Sequence, residues 1–328
     1  MDNKIKIGIC GYGNLGRGVE SEIAKNPDME LVAIFSRRGG NLPSGAGGNP
    51  PMVHIASAPE WQGKMDVMIL CGGSKSDLPS QGPEFARLFN TVDSYDTHAK
   101  IPGYFEAVDS AAKAGDHLSI ISIGWDPGLF SILRLYAGSI IPDGKTYTFW
   151  GKGVSQGHSE AVRGIDGVEG AIQYTIPVDA AMERVRSGEA PELTTREKHT
   201  RVCYVAAAAG ADTKRIENEI KTMPDYFADY DTTVHFISLD ELKKDHAKIM
   251  HGGNVLHTGE TGVGNTQGIE FSLKLDSNSE FTASVLLAYA RAAYRLSAKG
   301  ERGARTIFDI PPIMLSPQEP DELVKELL

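Results

Sequence analysis

Two stretches near the start of the chain have residue types and spacing suited to holding phosphate. Ile5, Ile7 and Ile9 alternate in a short apolar run, Gly11-Tyr12-Gly13-Asn14-Leu15-Gly16 follows, and Val19, Ile23 and Ala24 then recur at helical spacing. A GxGxxG sequence between a strand and a helix brings backbone N–H groups and the positive end of the helix to a pyrophosphate. Gly11 permits the tight turn, Gly13 lets the phosphate approach, and Gly16 allows the helix to pack closely on the sheet. A second strand, Leu31-Val32-Ala33-Ile34-Phe35, ends in Ser36-Arg37-Arg38. An acidic residue at this position would accept from a free ribose 2′-OH, whereas two guanidiniums and a hydroxyl attract a 2′-phosphate. The pattern therefore favours NADP over NAD. The plainer alternatives are a glycine-rich turn and a pair of solvated arginines.

Further candidates fall at the ends of later strands, where open α/β sheets place their ligands. Cys71-Gly72-Gly73-Ser74 offers backbone and a hydroxyl to the cofactor, and Asp93 and Tyr95 are candidates for the same role. Asp96 and the turn Gly124-Trp125-Asp126-Pro127-Gly128 add carboxylates and an indole, although Asp126-Pro127 also suits a helix cap. Such groups suit hydride transfer, which depends on holding a donor carbon against a nicotinamide while charged groups orient the substrate. No HExxH, CxxC or P-loop is present, and no metal is expected. His199, His235 and His246 read as structural or solvent-facing, while His158 and His251 lie in polar glycine-rich loops where ligand contact is as plausible as a structural role.

With 328 residues the chain should divide into two domains, and its 41% apolar content can fill both cores. A net charge of -10 without a basic tract argues against nucleic acid or an anionic membrane as partner. The start, MDNKIKIGIC, has no apolar secretory region, and no apolar run approaches the roughly 20 residues that cross a bilayer. A cytoplasmic location is expected. Cys10, Cys71 and Cys203 are far apart, as buried thiols rather than a disulfide framework.

The first half alternates strand and helix: strands at 67–70, 91–93 and 118–123, helices at 83–89 and 104–114, and an irregular loop at 39–51. Such alternation gives a mostly parallel sheet with helices on both faces. Beyond Asp126 the rhythm changes. Strands are expected at 146–150, 168–176, 201–207, 232–237 and 269–275, helices at 180–186, 213–221 and 283–297, and a polar loop at 151–159. The fold class is thus an α/β Rossmann dinucleotide-binding domain plus an α+β substrate-binding and oligomerisation domain with a mixed or antiparallel sheet. The expected boundaries are 1–124, 125–298, and a C-terminal segment 299–328 that packs back on the first domain, with the last strong helix able to return there too.

Across nearly its full length the sequence resembles the meso-diaminopimelate dehydrogenase family. The resemblance is carried by GYGNLGRGVE, IFSRR, TVDSYD, SIGWDPGLFS, TFWGKGVSQGHSEAVR, QYTIP, MPDYF, HGGNV and LKLDSNSEFTAS. It implies oxidation of meso-2,6-diaminopimelate by NADP+ and water to L-2-amino-6-oxopimelate, ammonia and NADPH, in lysine biosynthesis. It also implies that Asp96, Asp126 and Trp150 hold the D-centre near the nicotinamide, with Trp125 shaping the pocket. Thr175, Arg201, His251 and Asn278 would clamp the L-centre, with Gln156 and Gly157 near the substrate. Family members form dimers or larger homo-oligomers, so a homodimer is expected.

The residue types suit a substrate with two carboxylates and two ammoniums, since Arg201 can grip a carboxylate through two parallel hydrogen bonds and Asp96 or Asp126 can pair with an ammonium. Whether either aspartate takes the amine proton or only anchors the ammonium stays open. Two other readings share parts of this pattern: an NADP-dependent dehydrogenase for another amino or dicarboxylic acid, and an NADP-sensing regulator.

Overall fold

The computed structural model describes residues 4–39, 50–246 and 250–328. Most of the loop expected at 39–51 lies outside the described residues. In the first half the strands are β1 (Ile5–Cys10), β2 (Met29–Ser36), β3 (Met52–His54), β4 (Val67–Leu70), β5 (Asn90–Asp93) and β6 (Leu118–Ile120). In the second they are β7 (Lys145–Trp150), β8 (Gly153–Val154), β9 (Val168–Pro177), β10 (His199–Ala207), β11 (Asp231–Phe236), β12 (His251–Glu260) and β13 (Thr266–Leu275). A last short strand, β14 (Gly303–Arg305), follows near the end of the chain.

The chain packs as two compact units, 1–132 with 279–328, and 133–278. The first contains a seven-stranded sheet in the order β14-β6-β5-β4-β1-β2-β3, with every pair parallel. Strands of such a sheet are covered on both faces and read as continuous apolar runs. β4, Val-Met-Ile-Leu, is buried throughout. One face packs Val19 and Ile23 of the helix Asn14–Ile23 with Leu286, Ala290 and Ala293 of the helix Asn278–Ala298. The other packs Phe85, Tyr104, Val108 and Ala112 of the helices Leu78–Ala86 and Ile101–Ala114. The chain leaves β1 toward β2 on one side and returns to β4 on the other, so the carboxyl ends of β1 and β4 border the switch point at which doubly wound sheets bind ligands.

The expected boundary at 298 leaves the last strong helix, read at 283–297, able to return to the first domain, and the buried face of the helix Asn278–Ala298 lies in the core of the first unit. Arg291 accounts for part of this. Its guanidinium donates to both Asp28 oxygens at 2.6 and 2.8 Å, to Asn26 Oδ1 at 2.8 Å and to the Leu315 carbonyl at 2.8 Å. Burial pushes the Asp28 carboxyl up, but the bond to Arg291 and its charge outweigh that and hold it below the usual carboxylate range. Arg291 is buried and Asp28 half-buried, so removing the carboxylate would leave a buried cation short of its partner, at a typical cost of about 1–3 kcal/mol.

The second unit has a mixed sheet, β11-β10-β9-β8, in which β10 and β11 run parallel and the other pairs antiparallel, and an antiparallel sheet, β13-β12-β7. Two segments differ from the sequence expectation. Part of the loop at 151–159 is the strand β8 and the start of the helix Gln156–Arg163. The glycine-rich segment at 251–254 opens the ten-residue β12. Glycine weakens a strand's own preference, but β12 pairs on both sides, and a Cβ on Gly252 would lie 2.4 Å from the Leu273 carbonyl oxygen. Tertiary pairing therefore decides both segments.

Candidate active site

The first unit builds a cleft where β1 and β2 end. Gly11 has φ +96°, a conformation open to glycine, and its N–H donates to the Phe35 carbonyl at 2.8 Å. A Cβ on Gly16 would fall 2.1 Å from the Gly11 carbonyl oxygen, so this glycine is required for the helix to lie against the turn. A Cβ on Gly13 would meet nothing within 4 Å, which leaves the helix N-terminus open to a ligand. The cleft holds about 390 Å³ and is lined by Gly11, Tyr12, Gly13, Asn14, Ser36, Arg37 and Arg38 among others. These groups fit a dinucleotide with a 2′-phosphate: backbone N–H groups at a helix start, and cations at the end of β2.

Around the cleft the side chains are tied to one another. Leu15 packs against the core of the sheet. Tyr12 donates to Glu20, and the Arg17 guanidinium lies 4.6 Å from its ring centroid. Arg38 N–H donates to Ser36 Oγ at 3.1 Å, and Arg37 pairs with Asp77 at 3.3 Å. Arg17 and Asp77 also line the cleft and are absent from the sequence candidates. For Arg17 a signal existed, one helical turn beyond Gly13; for Asp77 none did, because the fold alone carries it to Arg37.

The other expected cofactor residues separate. Gly72 lines the cleft, while Gly73 N–H bonds to Asp77 Oδ2 at 3.0 Å and Ser74 Oγ accepts from Asp96 N–H at 3.2 Å. Cys71 N–H donates to the Cys10 carbonyl at 2.7 Å, and burial pushes both thiols up, Cys10 to about 12. Asp93 and Tyr95 are buried, their side chains directed into protein rather than toward solvent. Asp96 is exposed, and Trp125 and Asp126 are half-buried in a turn where the Trp125 ring meets Phe130 edge-on at 5.3 Å.

The second unit gathers a different set. Thr175 on β9 pairs in register with Arg201 on β10, and Arg201 donates to the Thr175 hydroxyl. Only 6% of Arg201 is exposed, its guanidinium lies 3.8 Å from the Tyr230 ring centroid, and its Nε has no hydrogen-bond partner. Among the described residues no carboxylate pairs with it, and burial draws its pKa down. A buried guanidinium without an anion has donors left to offer a carboxylate. Gly153 pairs with Thr175, and a Cβ on it would lie 3.1 Å from the His251 Cα, so the chain beyond Trp150 brings Thr175 and half-buried His251 together. Gln156 and Gly157 are exposed at the start of the helix Gln156–Arg163, and half-buried Asn278 ends this unit.

Tyr230 is a support that the sequence pattern does not assign, and His199, read from the sequence as structural or solvent-facing, is buried and structural. The Trp150 backbone N–H donates to His199 Nε2 at 2.9 Å, so the imidazole is an unprotonated acceptor at that nitrogen, and its ring stacks on the indole with centroids 5.5 Å apart. Burial and the nearby Arg201 charge push both His199 and His158 down to about 4. The unfolded chain, with ordinary histidines near 6.5, then binds more protons than the folded one across this window. Stability is fully present above pH 6.5 and is lost as pH falls toward 4. For buried His199 the loss is on the order of 2 kcal/mol. Thermal melts from pH 7.5 to 4.5 should show this decline, and the double variant His158→Gln/His199→Gln should flatten it. An unchanged slope in the variant would remove these histidines as its source.

Among the described residues no cluster of three or more His, Cys, Asp or Glu could hold a metal, and no helix is long and apolar enough to cross a membrane. The parallel sheet and its phosphate cleft define the class: a Rossmann-type dinucleotide-binding protein. The Diaminopimelic acid dehydrogenase C-terminal domain matches residues 124–277, and meso-diaminopimelate D-dehydrogenase of Ureibacillus thermosphaericus is 60% identical over 326 residues, covering 99% of this chain and 100% of that one. The chain belongs to the meso-diaminopimelate D-dehydrogenase family. Two solved structures agree over the whole chain. The Corynebacterium glutamicum DAP dehydrogenase in complex with DAP has a TM-score of 0.90 at 45% identity and covers 100% of both chains. An engineered D-amino acid dehydrogenase bound to NADP+ has a TM-score of 0.84 at 44% identity, covering 99% of this chain and 100% of its own.

Proposed function

We propose that the protein oxidises the D-centre of meso-2,6-diaminopimelate with NADP+ and water, giving L-2-amino-6-oxopimelate, ammonia and NADPH, as a step of lysine biosynthesis. Family membership supports the reaction, and the observation that carries the substrate is Arg201, a buried cation beside Thr175 with no protein anion among the described residues. NADP+ supplies the hydride acceptor. Loss of hydride from the D-configured carbon leaves an iminium, which water hydrolyses with release of ammonia.

This chain's residues divide the work by charge. Gly11, Gly13 and the N-terminus of the helix Asn14–Ile23 take the pyrophosphate, and Ser36, Arg37 and Arg38 take the 2′-phosphate. Asp96 and Asp126 attract the ammonium of the reacting end, Trp150 braced on His199 gives it an aromatic wall, and Trp125 shapes the pocket. Arg201 and Thr175, with His251 and Asn278, take the amino-acid group of the far end, and Gln156 and Gly157 border the substrate. Anchoring the far end fixes which hydrogen of the near end faces the nicotinamide, which is the origin of stereoselectivity. The second unit is also assigned the homodimer contact.

NADP+ reduction should proceed with meso-diaminopimelate and fall at least about 100-fold with the LL-isomer, glutamate or D-alanine, because each lacks either the D-centre or the second anchored end. Spectrophotometric rates with these substrates and the DD-isomer check this. Equal turnover of LL- and meso-forms would overturn the stereochemical assignment, and preference for glutamate would favour a dehydrogenase of another dicarboxylic amino acid.

A further inference from the structure

We propose that Asp93 is a positioning residue for this oxidation: its buried carboxylate ties the loop that carries Asp96 to the loop that carries Asp126, and so sets the spacing of those two groups. The role rests on the assignment of Asp96 and Asp126 to the reacting end. Asp93 closes β5 and is 1% exposed. One oxygen, Oδ1, accepts from Tyr95 N–H at 2.9 Å and from Ser122 N–H at 3.0 Å, while Oδ2 accepts from the Tyr104 hydroxyl at 2.7 Å. Tyr95 immediately precedes Asp96, and Ser122 lies four residues before Asp126. One carboxylate thus bonds the backbone of both loops within a few residues of each functional aspartate.

Three neighbouring features make the link stiff. The Asp93 carbonyl accepts from Ile123 N–H at 2.8 Å, so the same residue holds the second loop through backbone as well as side chain. Ser122 has φ +59°, a conformation seldom adopted by residues with a side chain, and its N–H points at the carboxylate. Tyr104 has no freedom to withdraw: its ring stacks on Tyr95 at 4.1 Å, and a Cβ on Gly82 would sit 2.1 Å from its hydroxyl oxygen. Asp96 N–H is held in turn by Ser74 Oγ at 3.2 Å, which joins the loop after β5 to the one after β4. Burial pushes the Asp93 carboxyl up and the three donors oppose it. A core residue serving packing alone carries no such cost, whereas an acceptor oxygen shared by two loops satisfies an N–H group of each.

The test compares Asp93→Ala, Asp93→Asn and Tyr104→Phe in the full-length protein, reading kcat and KM for meso-diaminopimelate, the Kd of NADPH by fluorescence, and Tm. Asp93→Ala frees both loops and should lower kcat by about 30- to 100-fold per folded molecule, with NADPH Kd changed less than about twofold. The amide oxygen of Asp93→Asn still accepts both N–H groups, so kcat should return to within about fivefold of the parent, and Tyr104→Phe, lacking one donor, should lose about 3- to 10-fold. If Asp93→Ala does not fold, the other two variants decide. Unchanged kcat in Asp93→Ala or, where that variant does not fold, in Tyr104→Phe overturns the positioning role, as does a loss of kcat matched by an equal loss of NADPH affinity, which is the signature of general structural damage. Asp96→Asn and Asp126→Asn are measured alongside. Normal kinetics in both would overturn the assignment of those aspartates and the positioning role with it, whereas slow kinetics there with normal Asp93→Ala would remove the positioning role alone.

Discussion

Replacing Arg201 by methionine should lower kcat/KM for meso-diaminopimelate by about 100- to 1,000-fold, mostly through KM, and leave NADPH binding unchanged. A bidentate, charge-assisted grip on a carboxylate in a dry site is worth several kcal/mol, and methionine keeps much of the arginine's apolar volume while deleting all of its donors. The parent has an unusual feature that sharpens the expectation. Its guanidinium is buried, bonded to Thr175 and stacked on Tyr230, yet has an Nε without a partner and no carboxylate beside it among the described residues. In the absence of substrate this cation is a cost to the fold, so the methionine variant should melt at the same temperature or higher. Steady-state kinetics and a thermal melt on one preparation check both halves. Unchanged KM would remove Arg201 from the far-end clamp, and a collapsed Tm would mark it as a structural residue.

The double variant Arg37→Ala/Arg38→Ala should raise KM for NADP+ by about 100- to 1,000-fold while changing KM for NAD+ less than about threefold. Two guanidiniums lost from a 2′-phosphate explain most of the effect. Asp77 adds to it. Arg37 is paired with this carboxylate at 3.3 Å, and both line the cleft, so removing the arginine leaves a negative charge facing the incoming phosphate. NAD+, with a neutral 2′-OH, feels no such repulsion and can donate to an acidic acceptor there. Adding Asp77→Asn to the double variant should recover part of the NADP+ affinity. Equal losses for both cofactors would refute the assignment of the arginine pair to the 2′-phosphate.

Local patterns carry the cofactor half of the protein. Gly11 to Gly16 and Ser36 to Arg38 are contiguous, and their roles follow from backbone freedom and charge that belong to the residues themselves. Their folded geometry agrees, down to the open Cβ position at Gly13 and the closed one at Gly16. Asp93 shows where local pattern stops being informative. As a polar residue at a strand end it is a candidate to face the cofactor, yet its carboxylate turns inward to Tyr95, Ser122 and Tyr104. Strand-end position specifies where a residue starts, not which way its side chain points once two loops compete for it.

The second unit is less legible for a related reason. β12 opens with His251 and two glycines and has no strand signature of its own there; it exists because β7 and β13 offer partners on either side. Arg201 and Thr175, separated by 26 residues, meet only through the antiparallel register of β9 and β10. Tyr230 reaches the same guanidinium from just before β11, and His199 supports Trp150 from 49 residues away.

The sequence by itself determined the Rossmann unit, the phosphate-binding turn and the cationic strand end, because glycine conformation, hydrophobic period and local charge act over a few residues. Only the tertiary structure decided that the helix at 278–298 belongs to the first core, that Asp77 neutralises Arg37, that Asp93 joins two loops and that Arg201 is buried without an anion among the described residues. Each of these depends on strand register and on desolvation by distant side chains, quantities that exist only once the chain has closed on itself.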